Sequence, residues 1–227
     1  MKTYKYFAIA CIIVVIDQIV KLIVKLNMSL GQEIPVIGDV FKLHFIENPG
    51  AAFGLTIAHV YEGIAGLFLT EPHLSDVTAK LILTLFSIFA VGFIIYYLYL
   101  LRNQKTALPL WISLILGGAI GNIIDRVFYG AWFASLNDYE GGWLYGRVVD
   151  MFYVDIWQGY LPHWIPGIGG EYYSFWPIFN VADAAISVGI VAILVFQHRL
   201  FSNPIPTPSE PTEVETKGTE PLAEEVS

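Results

Sequence analysis

The sequence predicts an all-α polytopic membrane protein: four transmembrane helices with a small extracytoplasmic β-sheet and interfacial insertions. Of its 227 residues, 56% are hydrophobic and only 14% are charged, and the mean hydropathy is +0.60. These values lie outside the range of ordinary soluble domains. Four apolar segments are long enough to cross a bilayer, which takes about 20 helical residues. They lie at about residues 6–26, 81–101, 106–124 and 181–197.

Basic residues in the short connections predict the orientation of the spans. Lys2 and Lys5 precede the first span, Arg102 and Lys105 lie between the second and third, and Arg199 follows the fourth. Short loops rich in Lys and Arg stay in the cytoplasm. We therefore expect both termini to be cytoplasmic and the two long connecting segments to lie outside.

The long connections carry patterns of their own. Residues 40–45 alternate apolar and polar side chains, which is typical of a half-buried strand and predicts the small outer sheet. Two insertions, at about residues 129–146 and 153–178, are rich in Trp and Tyr, whose rings favour the membrane interface. Their tryptophans are Trp132, Trp143, Trp157, Trp164 and Trp176.

The last 26 residues differ in composition from the rest of the chain. Residues 202–227 hold six Glu, five Pro and one Lys, with little apolar surface to offset the entropy of ordering them. We expect a membrane domain over residues 1–201 and a disordered acidic tail over 202–227.

Two aspartates lie at the edges of apolar segments that resemble membrane spans, Asp150 and Asp183. A carboxylate at such a depth costs about 2.5–3.5 kcal/mol on insertion scales, so a function is its default interpretation. Two that can meet indicate acid–base chemistry. For Asp183 alone, a place in the first turn of a helix is an alternative explanation.

Other polar residues accompany this pair. Asp17 and Lys21, four apart on one helix face, are more simply explained as a structural ion pair than as chemistry. Near the end of the third span lie Asn122, Asp125 and Arg126, which could be an interfacial charge cluster or could bind a peptide, because Arg126 can donate to peptide carbonyls.

Two further positions complete the candidate set. Asn180 is three residues before Asp183, so both side chains point to one side of the helix and the amide can donate to a carboxylate or a substrate. Asn48 and Gly50 follow the predicted strand, either as a simple turn or beside an extended peptide.

The sequence shows no pattern typical of a metal site or of a catalytic nucleophile. The five His show no ligand spacing, the single Cys11 excludes a multi-cysteine site, and no Gly-x-Ser-x-Gly motif is present. We expect no metal and no cofactor, which leaves the two carboxylates as the chemical resource.

The order of five motifs resembles one known family. They are Asp17-Gln18-x-x-Lys21, Asn48-Pro49-Gly50-Ala51-Ala52-Phe53, Gly117-Gly118-Ala119-Ile120-Gly121-Asn122-x-x-Asp125-Arg126, Val148-Val149-Asp150 and Phe179-Asn180-Val181-Ala182-Asp183. Together they are similar to lipoprotein signal peptidase (signal peptidase II), a bacterial intramembrane aspartic protease family with four spans. The resemblance covers about residues 5–198.

The resemblance implies a function and a set of roles. Asp150 and Asp183 match the catalytic pair, and Asp17 and Lys21 match a supporting polar pair. Residues that shape or contact the site are matched by Asn48, Gly50, Asn122, Asp125, Arg126 and Asn180. The implied substrates are diacylglyceryl-modified prolipoproteins, cleaved before the lipidated cysteine, and the implied inhibitors are of the globomycin type. The resemblance also implies a location in the bacterial inner membrane, in contact with its lipids, and an active site near the outer leaflet. It implies no nucleic-acid partner.

Two alternatives stay open at this point. A small transporter or channel could use the aspartates as an ion path, although neither repeats nor paired broken helices are visible. Asp125 competes with Asp150 as the partner of Asp183. We favour Asp150, because the adjacent Arg126 should hold Asp125 as a carboxylate. The segments on either side of Asp150 are longer than is usual in the family, which affects what covers the site and how substrate reaches it rather than the pair itself.

Overall fold

The computed structural model describes residues 4–50, 75–155, 158–164, 170, 172–174 and 177–201. Within them, four helices are long and apolar enough to span a membrane. The helices are α1 (Lys5–Asn27), α2 (Asp76–Leu101), α3 (Leu108–Ile124), the short α4 (Gly130–Trp132) and α5 (Val181–Phe201). The prediction of four spans is confirmed. The acidic tail, residues 202–227, lies outside the described residues.

The helix starts follow local capping rules. Helix α2 begins five residues before the predicted span, because Ser75 accepts a hydrogen bond from the Thr78 backbone N–H at 3.2 Å. Helix α3 begins two residues later than predicted and carries Pro109 in its first turn, where the missing N–H of proline costs nothing.

Helix α3 is the central helix of the bundle. Of its most apolar stretch 56% is buried, against 11–22% for the other three spans. It packs against α1, α2 and α5. The remaining helices turn large apolar side chains outward, as lipid-facing segments do. On α2 these include Phe86, Phe89 and Phe93.

Glycines let the helices approach closely. A Cβ added to Gly117 would lie 2.8 Å from the Ala10 carbonyl oxygen of α1, and one on Gly118 would lie 2.3 Å from the Ala182 carbonyl oxygen of α5. Small residues allow such backbone contacts between membrane helices. The small-residue pattern in the third span therefore brings both α1 and α5 into close backbone contact with α3.

A three-stranded antiparallel sheet lies at one end of the bundle. Its strands are β1 (Glu33–Ile37), β2 (Phe41–Asn48) and β3 (Val148–Val154), in the order β1-β2-β3. The alternating segment predicted to be a strand forms part of β2. The apolar stretch around Asp150, which the sequence placed at the edge of a span, is instead the strand β3, with Asp150 opposite Ile46.

The chain reaches β3 from α3 through a compact loop. Residues Asp125–Tyr129 form a π-helical turn, after which the chain folds back so that the Gly146 N–H donates to the Arg126 carbonyl at 2.9 Å. A Cβ on Gly146 would lie 2.0 Å from the Asp125 carbonyl oxygen, so only glycine fits there. The loop therefore ends beside the helix from which it started, immediately before β3.

The second insertion contributes a small hairpin-like pair, β4 (Gln158–Tyr160) and β5 (Tyr172–Ser174), which are antiparallel. In the first insertion Trp132 stacks on Phe128 with ring centroids 4.7 Å apart, and Trp132 and Trp143 are each 57% exposed. Trp157 and Trp176 lie outside the described residues.

Candidate active site

Backbone pairing brings Asp150 and Asp183 to one place. The segment before α5 forms a bridge to β3, in which Phe179 N–H donates to the Phe152 carbonyl at 3.0 Å and Phe152 N–H donates to the Phe179 carbonyl at 2.8 Å. Asp150 lies two residues before this bridge and Asp183 four residues after it. The two carboxyl groups therefore meet where the sheet joins the membrane helices.

Asn180 connects the two carboxyl groups. Its Nδ2 donates to Asp150 Oδ1 at 2.6 Å, and its Oδ1 accepts from the Asp183 backbone N–H at 2.9 Å. In return Asp183 Oδ2 lies 3.4 Å from the Asn180 N–H, which completes a reciprocal cap at the start of α5. The helix-start explanation of Asp183 and its place beside Asp150 are thus both true.

The other oxygen of Asp183 bonds to α3. Asn122 Nδ2 donates to Asp183 Oδ1 at 2.9 Å, while Asn122 Oδ1 accepts from Lys21 Nζ at 2.9 Å. Because one end of the amide accepts from an ammonium group, its N–H groups must face Asp183. Asn122 therefore orients the Asp183 carboxyl.

Asn48 donates to the carboxyl oxygen of Asp150 that Asn180 does not contact. Its Nδ2 donates to Asp150 Oδ2 at 3.2 Å, and its Oδ1 accepts from the Gly50 backbone N–H at 2.8 Å. Gly50 has φ of +105°, a conformation that strongly favours glycine. Strand β2 thus ends in a turn, and its last residue, Asn48, places an amide on the carboxyl group. The sequence had placed Asn48 just after the strand. Ala51–Phe53 of the same motif lie outside the described residues.

The surroundings of Asp150 favour its protonated form. Burial, and next the negative charge of Asp183, raise the pKa of Asp150 to about 7. The hydrogen bonds from Asn48 and Asn180 and the positive charge of Lys21 act in the opposite direction. A carboxyl group that holds a proton near neutral pH, beside a second carboxyl, is suited to acid–base chemistry.

Lys21 is the centre of a buried ion cluster. Its Nζ lies 2.9 Å from Asp17 Oδ2 and 2.8 Å from Asp125 Oδ2, and all three side chains are fully buried. Asp17 Oδ1 also accepts from the Ala182 N–H at 2.9 Å, at the start of α5. The Asp17–Lys21 pair of the sequence thus joins α1 to both α3 and α5.

The partner of Asp125 differs from the one predicted. Arg126 was expected to hold Asp125 as a carboxylate, but the ion-pair partner of Asp125 is Lys21, and Asp125 Oδ2 also accepts from the Val149 N–H at 3.2 Å. The cause is the helical turn, which directs adjacent side chains to different faces. Asp125 therefore supports β3 next to Asp150.

Arg126 points toward α2. Its Nη1 donates to Ser87 Oγ at 2.8 Å, and its charge interacts with those of Asp125, Asp183 and Asp150. The structure thus gathers Asn48, Asn122, Asp125, Arg126 and Asn180 around the two carboxyls.

Two further residues, which had no predicted role, belong to this network. Gln18 donates to Asp125 Oδ1 at 3.0 Å and to the Gly121 carbonyl at 3.1 Å, and its Oε1 accepts from Tyr129 Oη at 3.1 Å. Gln18 stands inside the first motif, which was a usable signal. Tyr129 had no signal, because its position depends on the π-helical turn.

Loss of the Lys21 ammonium should cost a large part of the stability. Lys21→Met leaves Asp17 and Asp125 buried without a cation, and breaking such a buried pair costs about 3–5 kcal/mol. We expect a strongly lowered thermal midpoint in detergent. The control is Lys42→Met, whose ion pairs on the sheet are 3.6 and 3.7 Å long and partly exposed, and which should change the midpoint little. Equal midpoints for the two variants would contradict the assignment.

No cluster of three or more His, Cys, Asp or Glu that could hold a metal ion is found in the described part of the chain. The amides of Asn48, Asn122 and Asn180 donate their N–H groups to the oxygens of the two carboxyl groups.

The fold and the site define a class of protein, a four-span membrane enzyme with two hydrogen-bonded carboxyl groups where its helices meet a small sheet. A family model described as signal peptidase (SPase) II matches residues 9–199. The chain belongs to the signal peptidase II family.

Related proteins support this family, and a solved structure supports the fold. The chain is 40% identical over 209 residues to the lipoprotein signal peptidase of Porphyromonas gingivalis, covering 86% of this chain and 83% of that one. It is 37% identical over 214 residues to that of Amoebophilus asiaticus, covering 90% and 82%. A bacterial membrane enzyme solved by the in meso method at 2.3 Å resolution shares the fold, with a TM-score of 0.54 at 23% identity over 91% of this chain and 94% of that one. These comparisons do not favour a transporter or channel.

Proposed function

We propose that this protein is an aspartic endopeptidase that removes the signal peptide from diacylglyceryl-modified prolipoproteins, cleaving before the lipidated cysteine. The observation that carries the proposal is the hydrogen-bonded unit Asp150–Asn180–Asp183 at the junction of sheet and membrane. Membership of the signal peptidase II family supports the substrate class.

The proposed mechanism gives the two carboxyl groups different roles. Negative charge on Asp183 is stabilised by the start of α5 and by the Asn122 amide, so Asp183 acts as the base that takes a proton from water. Asp150 holds the shared proton and donates a hydrogen bond to the scissile carbonyl, which polarises it for attack. The tetrahedral intermediate then collapses, the C–N bond breaks, and a proton passes from the pair to the leaving amine.

Arg126 and Asn48 border the space where a substrate backbone would lie. The Arg126 guanidinium has five N–H donors, and within the described residues one of them bonds to Ser87. Its other donors suit peptide carbonyls. In this proposal Asn48, Gly50, Asn122, Asp125, Arg126 and Asn180 shape the site without taking part in proton transfer.

The proposal also places the protein in its membrane. We assign it to the bacterial inner membrane with cytoplasmic termini and the sheet on the outer side, so that the acyl chains of the substrate stay in the bilayer while the peptide bond reaches the pair. The exposed rings of Trp132 and Trp143 suit the headgroup region of that leaflet.

The function is tested with purified protein and a prolipoprotein substrate. We expect a gel shift with the diacylglyceryl-modified substrate and none with the same substrate before lipid transfer. Globomycin should block the shift and chelators should leave it unchanged. Equal cleavage of the unmodified substrate would contradict the proposed specificity, and loss of activity in chelator would contradict the aspartic mechanism.

The pH dependence follows from the shared proton. At low pH both carboxyls are protonated and no base remains, whereas above the pKa of Asp150, about 7, the shared proton is lost. We expect a bell-shaped profile of kcat/KM whose basic limb falls as the pH rises through about 7. Because the Asn48 hydrogen bond lowers the pKa of Asp150, Asn48→Ala should move that limb to higher pH. A basic limb that does not move would exclude Asp150 as the proton carrier.

A further inference from the structure

A second buried polar cluster lies on the other side of strand β2. It consists of Lys25 in the last turn of α1, Glu47 near the end of β2 and Asn137 in the first insertion, and we call it the Lys25 cluster. Lys25 Nζ forms an ion pair with Glu47 and donates to Asn137 Oδ1 at 2.8 Å, with the Phe133 ring 5.3 Å from the nitrogen. The Lys25 and Glu47 side chains are only 2% and 4% exposed.

The orientation of Asn137 is fixed from both ends. Its Nδ2 donates to the carbonyls of Tyr129 at 3.1 Å and Gly130 at 3.5 Å, so its oxygen must face Lys25. The insertion is held again where it returns, through the bond from Gly146 to Arg126. The side chain of Asn137 thus ties the first insertion to α1 directly and to β2 through the Lys25–Glu47 pair. The backbone of the insertion is tied to the π-helical turn after α3.

One polar atom of the Lys25 cluster has no hydrogen-bond partner in the part of the chain that the structure describes. Glu47 Oε2 is buried without a hydrogen-bond partner among the described residues. A buried ion pair brings little net stability, because desolvation offsets the attraction, but it can fix one arrangement of the elements that it joins. That is the role we assign here.

Glu47 is directly followed by Asn48, the residue that donates to Asp150. In the sheet Glu47 pairs with Val149, and Asn48 pairs with Val148. The bond from Asn48 Nδ2 to Asp150 Oδ2 is 3.2 Å long, at the long end of the normal range, so a small displacement of β2 would break it. Holding Glu47 therefore holds Asn48 on Asp150.

We propose that Asn137 is a positioning residue for the reaction, which acts through the Lys25–Glu47 pair to keep Asn48 hydrogen-bonded to Asp150. On this view the first insertion is part of the catalytic apparatus of this chain. The inference rests on the proposed function, because its effect is read from cleavage.

The test is a double-mutant cycle between Asn137→Ala and Asn48→Ala, measured by cleavage of the diacylglyceryl-modified substrate. A lost hydrogen bond corresponds to roughly three- to tenfold in rate. We expect Asn137→Ala to lower kcat by about that factor, to change KM by less than about twofold and to move the basic limb of the pH profile as Asn48→Ala does. Added to Asn48→Ala, it should lower kcat by no more than about twofold, because the bond it protects is already gone.

The basic limb of the pH profile depends on every charge that acts on Asp150, not only on the Asn48 bond. Asp183 on α5, Lys21 on α1 and Arg126 in the π-helical turn after α3 carry charges that act on the pair. Asp125 in the same turn accepts from the Val149 N–H beside Asp150. The bonds of Asn137 go instead to Lys25, Tyr129 and Gly130. A shift of the basic limb shared by Asn137→Ala and Asn48→Ala therefore reports the Asn48 bond. Equal losses in both backgrounds, or a lowered thermal midpoint with an unchanged profile, would overturn the proposal.

Two controls keep the outcome clear. Asp138→Ala alters the neighbouring residue, whose side chain is 56% exposed, and should leave kcat unchanged. If Asn137→Ala does not fold, Glu47→Gln replaces it in the cycle, because it removes the charge of the Lys25–Glu47 pair while keeping the shape of the side chain. The expected pattern is the same: a lower kcat in the wild-type background and little further loss in the Asn48→Ala background. The proposed function and the role of Asn137 can fail separately. If the wild type cleaves the substrate and Asp150→Asn does not, the proposed function holds. An additive cycle would then overturn only the role of Asn137.

Discussion

Asp150→Asn and Asp183→Asn are each expected to abolish cleavage, lowering turnover by about 10³-fold or more, because members of one catalytic unit fail together. An asparagine at either position keeps the shape and the hydrogen bonds through Asn180, but the pair can no longer hold one proton and one negative charge. The measurement is the initial rate of prolipoprotein cleavage by purified variants, with thermal unfolding in detergent as the check of folding. Both variants should still bind globomycin at least weakly.

Two matched variants separate the pair from neighbouring carboxyls. Asp155→Asn changes the residue directly after β3 and should leave turnover close to that of the wild type. Asp125→Asn weakens the contact with Lys21 and Val149, so we expect reduced stability with measurable turnover in the folded fraction. If Asp150→Asn cleaved at a near-normal rate while well-folded Asp125→Asn was inactive, the pair would be wrongly assigned.

Gly118→Ala should disrupt both folding and activity. The new Cβ would lie 2.3 Å from the Ala182 carbonyl oxygen, a backbone atom that cannot rotate away, so α3 and α5 must separate by at least about 0.7 Å to restore a 3.0 Å contact. Overpacking of this kind typically costs about 1–3 kcal/mol. The same separation stretches the 2.9 Å bond from Asn122 on α3 to Asp183 on α5. A displacement of α5 also strains the 2.9 Å bond from the Ala182 N–H to Asp17 on α1. We therefore expect a lower thermal midpoint and a loss of turnover of more than about tenfold.

Gly92→Ala is the matched control. Gly92 lies in the middle of α2, and nothing comes within 4 Å of a Cβ placed there. Because alanine has the higher helix propensity, this variant should fold at least as well as the wild type and cleave at the same rate. Similar behaviour of the two glycine variants would show that the contact between α3 and α5 does not position the site.

Sequence alone determined the spans and the strand in β2, for a local reason. A membrane helix must make all its backbone hydrogen bonds internally and present apolar side chains to lipid. It therefore corresponds to one continuous apolar segment of the sequence. The alternation at Phe41, Leu43 and Phe45 has the same local character, because side chains of a strand point in turn to opposite faces. Motif order indicated the family and the candidate residues, since it records which residue types stand together along the chain.

Only the tertiary structure decided how those residues meet. Val148–Val154 is as apolar as part of a span, and its place as a strand depends on pairing with β2 about a hundred residues earlier. The partner of Asp125 is Lys21 rather than its neighbour Arg126, because the helical turn separates adjacent side chains and the packing of α1 brings the ammonium close. The Lys25 cluster joins three segments distant in sequence. Hydropathy and spacing describe one segment at a time, whereas these contacts depend on how several segments pack together.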